Sequence, residues 1–295
     1  MQLFLEQLIN GLALGSLYAL FGLGFGIVFS TLGILNAAHG TYASWAAIIA
    51  LSVVERLNLP FIPALLAGIF GGGLLALVVD QVAFQPLRRR GSGMISALIT
   101  SIAAWIILDS LAGTATGHES LSFPRGSYPD TMFRLGSIPV PAMQIITFVS
   151  MLVVTISLHL LIRRSRFGAA MRAVGWNQTA ASLGGVNPRY VVVITAFIAG
   201  ATSGFAGVLG GISTQNVSFT LGEGLLLKGF AAVVVGGYDD VRGTAIAGVA
   251  LGVLEVMTAQ YLSSGLRDGI TYALLLGFLL LRPRGLFGSV AHSRA

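Results

Sequence analysis

Residues 7–30, QLINGLALGSLYALFGLGFGIVFS, are the stretch that decides the fold class of this chain. They form one long, predominantly apolar run without a charged side chain. A helix needs about 20 such residues to cross the hydrocarbon core of a bilayer. The run is too long for the apolar core of a cleaved signal peptide, and no basic stretch precedes it, so we expect a retained membrane span.

The composition extends this expectation to the whole chain. Hydrophobic residues make up 55% of the 295 residues and charged residues 9%, whereas soluble domains carry about 25% charged residues. We therefore expect an all-α fold, a polytopic integral membrane helical bundle of eight to ten membrane segments, in one domain spanning residues 1–295. A β-barrel would alternate apolar and polar residues in short strands, and that pattern is missing. The expected segments are 7–30, 36–54, 60–84, 94–116, 142–162, 190–213, 225–237, 243–262 and 269–281. Those at 36–54, 225–237 and 269–281 are short, so we expect some to be re-entrant or broken.

Arginine-rich connections orient the bundle. The net charge is +6, but the basic residues lie mainly in short loops, so they indicate orientation rather than nucleic-acid binding. By the positive-inside rule, residues 85–93, 163–189 and the tail after 281 are cytoplasmic. The loop 118–141, which has charges of both signs and contains Pro and Gly, is then outside. Nine crossings with an external N-terminus agree with the predicted side of each of these connections. The arginines concerned are Arg88, Arg89, Arg90, Arg163, Arg164, Arg166, Arg172, Arg189, Arg282, Arg284 and Arg294.

Several kinds of chemistry lack the residues they need. The chain has no cysteine, which excludes disulfides, thiol nucleophiles and thiolate metal sites. It has no G-x-x-x-x-G-K-[ST] phosphate loop, and Lys228 lacks a glycine-rich cradle. Protease and esterase motifs are also missing. We therefore expect a protein that is not an enzyme, binds no cofactor and has no metal site.

Glycines spaced by four residues predict close helix packing, because small residues at that spacing let helix backbones approach each other. The pairs are Gly68 and Gly72, Gly200 and Gly204, Gly207 and Gly211, and Gly248 and Gly252. They indicate a tightly packed bundle and carry no information about cargo.

The longest expected cytoplasmic connection is residues 163–189, RRSRFGAAMRAVGWNQTAASLGGVNPR. Its residues Gly168 to Leu183 predict a short helix, which the two following glycines and then Pro188 would end. The many alanines suit a helix that sits in a groove of another protein. The spacing alone equally fits a solvated loop that only keeps positive charge inside.

Four stretches resemble one known family. FGAAMRAVGWNQTAASLGGVNPR resembles the cytoplasmic coupling loop of ABC-importer permeases in the branched-chain amino acid permease family. NGLALGSLYALFGLGFGIVFSTLGILNAAHGTY, VVVGGYDDVRGTAIAGVALGVLE and LLLRPRGLFG match the same family, in family order, and together cover most of the chain. The compact length is similar to that of the smaller of the two permease subunits. The chain departs from the family at residues 238–240, where small residues are usual, and at Ala37, where a bulkier apolar residue is common.

The resemblance implies a non-catalytic permease subunit of an ATP-binding cassette importer in the inner membrane. Its partners would be a homologous second permease or a second copy, two cytoplasmic ATPase subunits, an extracytoplasmic solute-binding protein and the lipid bilayer, with no nucleic acid. The cargo would be a branched-chain amino acid or a similar small polar solute, with urea and amides among the options. The alternative is a secondary transporter driven by an ion gradient, with Asp109 or Glu255 as the coupling acid. The implied ATPase contacts are Gly168, Arg172, Ala173, Ala180, Ala181, Gly184 and Gly185.

Polar residues inside apolar segments are the candidates for a pathway. Asn36 and His39 interrupt the sequence between the first two segments, where Gly40 permits tight backbone geometry. We expect both side chains to bond backbone groups freed by a helix break, with contact to cargo or a gate as the alternative. Intramembrane acids are costly and often functional, although Asp80 lies near a cytoplasmic end, where pairing with a neighbour is common. Lys228 should reach towards the membrane interface. The candidate pathway or gate residues are Asn36, His39, Asp109 and Glu255.

Overall fold

A computed structural model describes residues 1–282 and 285–287 of the chain, and there the chain forms helices and one β-hairpin. The helices are α1 (Gln2–Leu32), α2 (His39–Leu57), α3 (Phe61–Val79), α4 (Gln85–Arg89), α5 (Met94–Thr116), α6 (Ala142–Arg164), α7 (Arg166–Trp176), α8 (Gln178–Leu183), α9 (Pro188–Thr214), α10 (Leu221–Gly236), α11 (Val241–Tyr261) and α12 (Arg267–Leu281). A π-helical turn, Asp80–Phe84, joins α3 to α4, and a 3-10 turn, Ser264–Leu266, precedes α12. Arg284 and Arg294, which contribute to the predicted orientation, lie outside the described residues.

Seven helical stretches among the described residues are long and apolar enough to cross a membrane. They are Gln2–Leu32, Phe61–Arg89, Met94–Thr116, Ala142–Arg164, Pro188–Thr214, Val241–Tyr261 and Ser264–Leu281. The remaining two predicted segments are α2 and α10. The helix α10 has only 16 residues, about 24 Å of helix, which is shorter than the roughly 30 Å hydrocarbon core. The prediction of a polytopic helical bundle is confirmed, and the expected eight to ten segments agree approximately with these helices.

The first span, α1, is the central helix of the bundle. It packs against α6, α9, α10 and α11. Of its most apolar 18-residue stretch, 78% is buried inside the protein. Gly15 of α1 faces Gly252 of α11 so closely that a Cβ on Gly252 would lie 2.2 Å from the Gly15 backbone nitrogen. The two backbones are therefore in direct contact, and a side chain at either glycine would push the helices apart.

A second close contact joins α3 to α9. A Cβ on Gly72 would lie 2.6 Å from the Gly200 carbonyl oxygen, and one on Gly204 would lie 2.9 Å from the Gly68 carbonyl oxygen. Lipid gives apolar helices no hydrophobic reason to associate, so tight van der Waals packing of this kind supplies much of the attraction. The prediction that the glycine pairs mediate close packing is confirmed at these positions.

A β-hairpin follows α5, in a stretch where the sequence pattern predicts no strand. Its strands are β1 (Met132–Leu135) and β2 (Ile138–Pro141), which pair antiparallel with Leu135 opposite Ile138. A separate bridge joins Leu121 to Val217, so the same loop is tied to the connection between α9 and α10. The otherwise all-α fold thus carries a small two-stranded cap at one end.

The predicted orientation can be tested by introducing single cysteines into this cysteine-free chain. Ser120 lies in the loop after α5 and Ser182 lies in α8, and both are exposed. We expect Ser120→Cys to react with a membrane-impermeant maleimide added to whole spheroplasts, and Ser182→Cys to react only after the membrane is broken. The reverse labelling would contradict the orientation, and the unmodified chain serves as the blank.

Candidate functional site

The chain between α1 and α2 is a break in the helical bundle that side chains of other helices hold in place. Gly33 ends α1 with φ 67°, a left-handed conformation that favours glycine. Beyond it, the Ala37 N–H donates to the Ser101 hydroxyl of α5 at 3.1 Å. The Ser203 hydroxyl of α9 donates to the His39 carbonyl at 3.0 Å. The break is therefore connected by hydrogen bonds to two further helices.

His39 begins α2 and is only 1% exposed. Its ring lies edge-on to three aromatic rings, with centroids 4.8 Å from Phe21, 5.7 Å from Phe25 and 5.6 Å from Tyr42. Its Nε2 atom has no hydrogen-bond partner among the described residues. The imidazole is thus held by aromatic contacts on several sides and keeps one polar atom available.

The Asn36 side chain does not bond the freed backbone, so that part of the prediction was wrong. Its amide Nδ2 donates instead to the Tyr42 hydroxyl at 3.1 Å, and its Oδ1 has no partner among the described residues. Both Asn36 and His39 line a small cavity of about 20 Å³ together with Asp80. A cavity of that size holds about one water-sized molecule, so this centre can exchange a hydrogen bond but is too small for an amino acid.

Asp80 at the same cavity is neutralised by Arg88. The guanidinium donates two hydrogen bonds of 2.7 Å to the two carboxylate oxygens. This planar bidentate arrangement is the strong form of the arginine–carboxylate pair. The expectation that Asp80 pairs with a neighbour is confirmed.

Glu255 of α11 is the centre of a buried ionic cluster. It is 0% exposed, and its carboxylate accepts hydrogen bonds from the Tyr18 hydroxyl at 2.8 Å and from Lys228 Nζ at 2.7 Å. Arg267 of α12 also donates to it. Lys228 in turn pairs with Asp268 at 2.9 Å. We define these five residues as the Glu255 cluster; it joins α1, α10, α11 and α12 and balances two acids with two cations.

Lys228 bonds within the protein, a set of contacts that the prediction of an interfacial lysine did not include. Its side chain is 13% exposed, and the ammonium group lies 5.4 Å from the centre of the Tyr18 ring and is bonded to Glu255. The sequence contained a signal that could have indicated this, because the single lysine and the acid at 255 lie in neighbouring apolar segments. In such segments, an acid paired with a base has a lower free energy than either charged group exposed to lipid.

Asp109 occupies a different setting on α5. Its carboxylate accepts a hydrogen bond of 2.6 Å from the Trp105 indole one turn earlier, and it is partly exposed. Only 11% of the most apolar 18-residue stretch of α5 is buried inside the protein. Of the four predicted pathway residues, the structure brings Asn36 and His39 to one cavity and leaves Asp109 and Glu255 apart.

Residues 163–189 form two helices, so the prediction of one continuous helix from Gly168 to Leu183 was wrong. Ser165 caps α7 by accepting from the Gly168 N–H at 2.9 Å. Asn177 is extended, and its side chain caps α8 by accepting from the Ala180 N–H at 3.0 Å. Asparagine is a strong N-cap residue, so its presence in the sequence GWNQTA was a readable signal for the break. We call α7 and α8 together the coupling segment.

The coupling segment has a face packed on the bundle and a face open to solvent. Of the predicted contact residues, Gly168 and Ala181 are buried, Ala173 is half-buried, and Arg172, Ala180, Gly184 and Gly185 are exposed. Arg172 donates a hydrogen bond to the Ile162 carbonyl. The predictions missed two large apolar side chains on the open face: Trp176 is 62% exposed and Leu183 is 87% exposed.

Comparison with known proteins gives a consistent set of matches. A family model described as branched-chain amino acid transport system, permease component, matches residues 7–281. The chain is 29% identical to the high-affinity branched-chain amino acid transport system permease protein BraD of Pseudomonas aeruginosa, over 97% of this chain and 96% of that protein. It is 32% identical to the LivH permease protein of the same kind of system from Salmonella typhimurium, again over 97% and 96%. Among solved structures, PsaBC from Streptococcus pneumoniae in complex with Fab matches at 15% identity and a TM-score of 0.49, over 93% of this chain and 91% of that chain.

Proposed function

Because this chain belongs to the family of permease components of branched-chain amino acid transport systems, we propose that it is the membrane-spanning permease subunit of an ATP-binding cassette importer. It is a multi-pass protein of the inner membrane, and its cargo is a branched-chain amino acid or a similar small polar solute. The match over residues 7–281 is the observation that carries this proposal. The alternative of an ion-driven secondary transporter has no support in that family, and its candidate acid Glu255 is already bonded to two cations.

The partners follow from what the chain lacks. It has no phosphate-binding loop for ATP, so two cytoplasmic ATPase subunits supply the energy. An extracytoplasmic solute-binding protein delivers the cargo, and a homologous permease or a second copy completes the membrane pathway. Each of these assignments rests on the family and extends it to this chain.

The open face of the coupling segment is the proposed ATPase contact. Trp176 is 62% exposed and Leu183 is 87% exposed, and large exposed apolar residues of this kind are typical of interaction sites. The opposite face packs on α1, α6 and α9, and a Cβ on Gly175 would lie 2.8 Å from the Ser30 carbonyl of α1. A displacement of the coupling segment would therefore be passed directly to the central helix.

The Asn36–His39 break is the proposed gate. It connects α1 to α2 without helical hydrogen bonds, so a shift of α1 is absorbed there. The His39 ring lies between Phe21 and Phe25 of α1, so movement of that helix must reposition the imidazole. Its unpartnered Nε2 and the Asn36 Oδ1 are available to bond new partners in the moved state.

The weakly covered face of α5 is the proposed contact with the second permease. A partly exposed carboxylate at Asp109 would be costly against lipid, and large apolar side chains around it are also exposed. A homologous permease packed on α5 would cover both and place Asp109 beside the shared pathway. Glu255, by contrast, is assigned a structural role within its cluster.

The test of this function is dependence on a separate ATPase through an identified surface. We expect uptake by the reconstituted complex to stop when the catalytic glutamate of the ATPase partner is replaced by glutamine. Leu183→Glu should reduce co-purification of the ATPase with the permease by roughly tenfold or more, because a charge replaces an apolar contact worth about 1.5–3 kcal/mol.

Leu135→Glu is the matched control for this surface. It makes the same change at an exposed leucine of the hairpin, at the opposite end of the bundle, and should leave co-purification unchanged. Uptake that continues on a proton gradient without ATP hydrolysis would contradict the proposed function. Full ATPase retention by Leu183→Glu would instead show that the coupling segment is only a solvated connection.

A further inference from the structure

A second cavity, of about 340 Å³, lies between the coupling segment and the ends of the membrane helices. Its walls are the last turns of α1 and α6, one face of α7 and the connection between α10 and α11. The volume falls in the range of about 300–1,000 Å³ that is typical of sites for small molecules. The connection that forms one wall is residues 238–240.

The polar lining of this cavity has both signs of charge. Arg163 and Arg172 come from one side, and Asp239 and Asp240 come from the other. The distance from Arg163 Nη2 to Asp240 Oδ2 is 4.0 Å, longer than the 2.7–2.9 Å of a charge-assisted hydrogen bond. Asp239 makes no hydrogen bond or ion pair with any residue that the structure describes. Among the residues that the structure describes, Arg163 and Asp239 therefore keep unused hydrogen-bonding capacity on opposite walls.

The rest of the lining is largely apolar. Leu23 and Ile27 of α1, Met171 of α7 and Val241 of α11 form an aliphatic surface inside the cavity. The charges that the described residues place in the lining, two positive and two negative, sum to zero, so a ligand with a net charge would leave one of them uncompensated. A small molecule with one positive group, one negative group and an aliphatic side chain matches all three features.

We propose that this cavity binds a zwitterionic amino acid with an apolar side chain from the cytoplasmic side, and that the bound amino acid slows import. Its carboxylate bonds to Arg163, its ammonium group bonds to Asp239, and its side chain contacts the aliphatic surface. The regulatory part rests on the proposed function, because only an importer of such solutes gains feedback from their internal concentration.

The link from binding to rate is the position of the coupling segment. The ligand touches α7 on one wall and the α10–α11 connection on the other. It therefore stabilises the arrangement of α7 and this connection that the structure shows. A ligand shifts a conformational equilibrium only by its difference in affinity for the two states. Movement of α7 away from that connection would remove the contact between Met171 and the ligand side chain, so the ligand favours the resting arrangement over the moved one.

The transport experiment uses the complete importer in proteoliposomes with leucine and ATP trapped inside and labelled leucine with binding protein outside. We expect the initial uptake rate to fall as internal leucine rises. Asp239→Asn and Arg163→Gln should each raise the internal leucine concentration for half-inhibition by about tenfold or more, since each removes one contact to a charged group. Each variant is normalised to its own uptake without internal leucine. Arg164→Gln is the matched control, because Arg164 is the next residue of α6 and does not line the cavity.

A binding measurement separates this inference from the proposed function. Labelled leucine should bind the permease–ATPase complex without binding protein, and Asp239→Asn should weaken that binding while Arg164→Gln does not. Isovalerate and isoamylamine, which each retain one of the two charges, should compete at least about tenfold less well than unlabelled leucine. Equal binding by all variants, or uptake indifferent to internal leucine, would overturn the inference. A complex that binds leucine in this variant-dependent way but transports none would overturn the proposed function and leave the binding site standing.

Discussion

Replacing Glu255 with glutamine is expected to destabilise the permease by about 2–3 kcal/mol, less than the roughly 3–5 kcal/mol of a fully buried ionic contact because Arg267 is 42% exposed and partly screened by solvent. The change keeps the size of the side chain and removes its charge. Lys228 would then keep only Asp268, and Arg267 would lose its carboxylate partner, which leaves the cluster with one excess positive charge. The measurement is thermal unfolding of detergent-purified protein, followed by loss of the monodisperse peak in size-exclusion chromatography.

A second substitution in the same cluster gives this prediction a sharp control. Adding Lys228→Met to Glu255→Gln restores charge balance, because Arg267 and Asp268 remain. Neutral replacements of a buried ionic group are often tolerated when no charge is left unpaired. The double variant should therefore be more stable than Glu255→Gln alone, a coupling that a double-mutant cycle measures directly. Additive losses would show that the residues do not act as one cluster.

Gly222→Ala is expected to destabilise the contact between α2 and α10 by about 3 kcal/mol or more, at or above the upper end of overpacking costs. A Cβ at this position would lie 1.8 Å from the Gly40 carbonyl oxygen and 2.4 Å from its carbonyl carbon. Both are backbone atoms that cannot rotate away, so the helices must separate. Separation would also stretch the hydrogen bond of 2.9 Å from the Gly222 N–H to the Ser44 hydroxyl.

Gly224→Ala is the matched variant, two residues further along the same helix. No atom lies within 4 Å of the Cβ it would add, and alanine is the better helix former by about 1 kcal/mol. We expect Gly224→Ala to unfold at the same temperature as the unmodified chain or higher, and to retain uptake. Gly222→Ala should unfold at a lower temperature and lose uptake. Equal melting temperatures for the two variants would show that Gly222 and Gly40 are not in backbone contact.

Much of the fold could be predicted because each apolar segment carries its own signal. The run at 7–30 and the other predicted segments each correspond to a helix, since the need to satisfy the backbone within lipid applies to every span separately. Boundaries were less accurate: α1 begins at Gln2 rather than residue 7, and α10 begins at Leu221 rather than near 225. The hairpin at 132–141 was missed because its outer strand has apolar residues exposed on both faces, without the alternation that identifies a half-buried strand.

The site was less predictable, because its contacts join residues far apart in the chain. Even the contact between Asn36 and Tyr42, which are six residues apart, has no sequence pattern that indicates a bond to the Tyr42 hydroxyl rather than to the backbone. Glu255 was identified as an unusual intramembrane acid, yet its partners come from α1, α10 and α12. Sequence patterns indicate which side chains are unfavourable in lipid. Which of these side chains pair with each other is determined only by how the helices pack.

The central position of α1 has a consequence for biogenesis. This helix leaves the ribosome before α11, with which it makes its close glycine contact and which begins at Val241. At a synthesis rate of roughly 5–20 residues per second, about 10 to 40 seconds pass before that partner exists. During this interval α1 must stay inserted while the face that will receive α11 is covered by lipid or by the insertion machinery. The bundle therefore closes around α1 only after α11 has been synthesised.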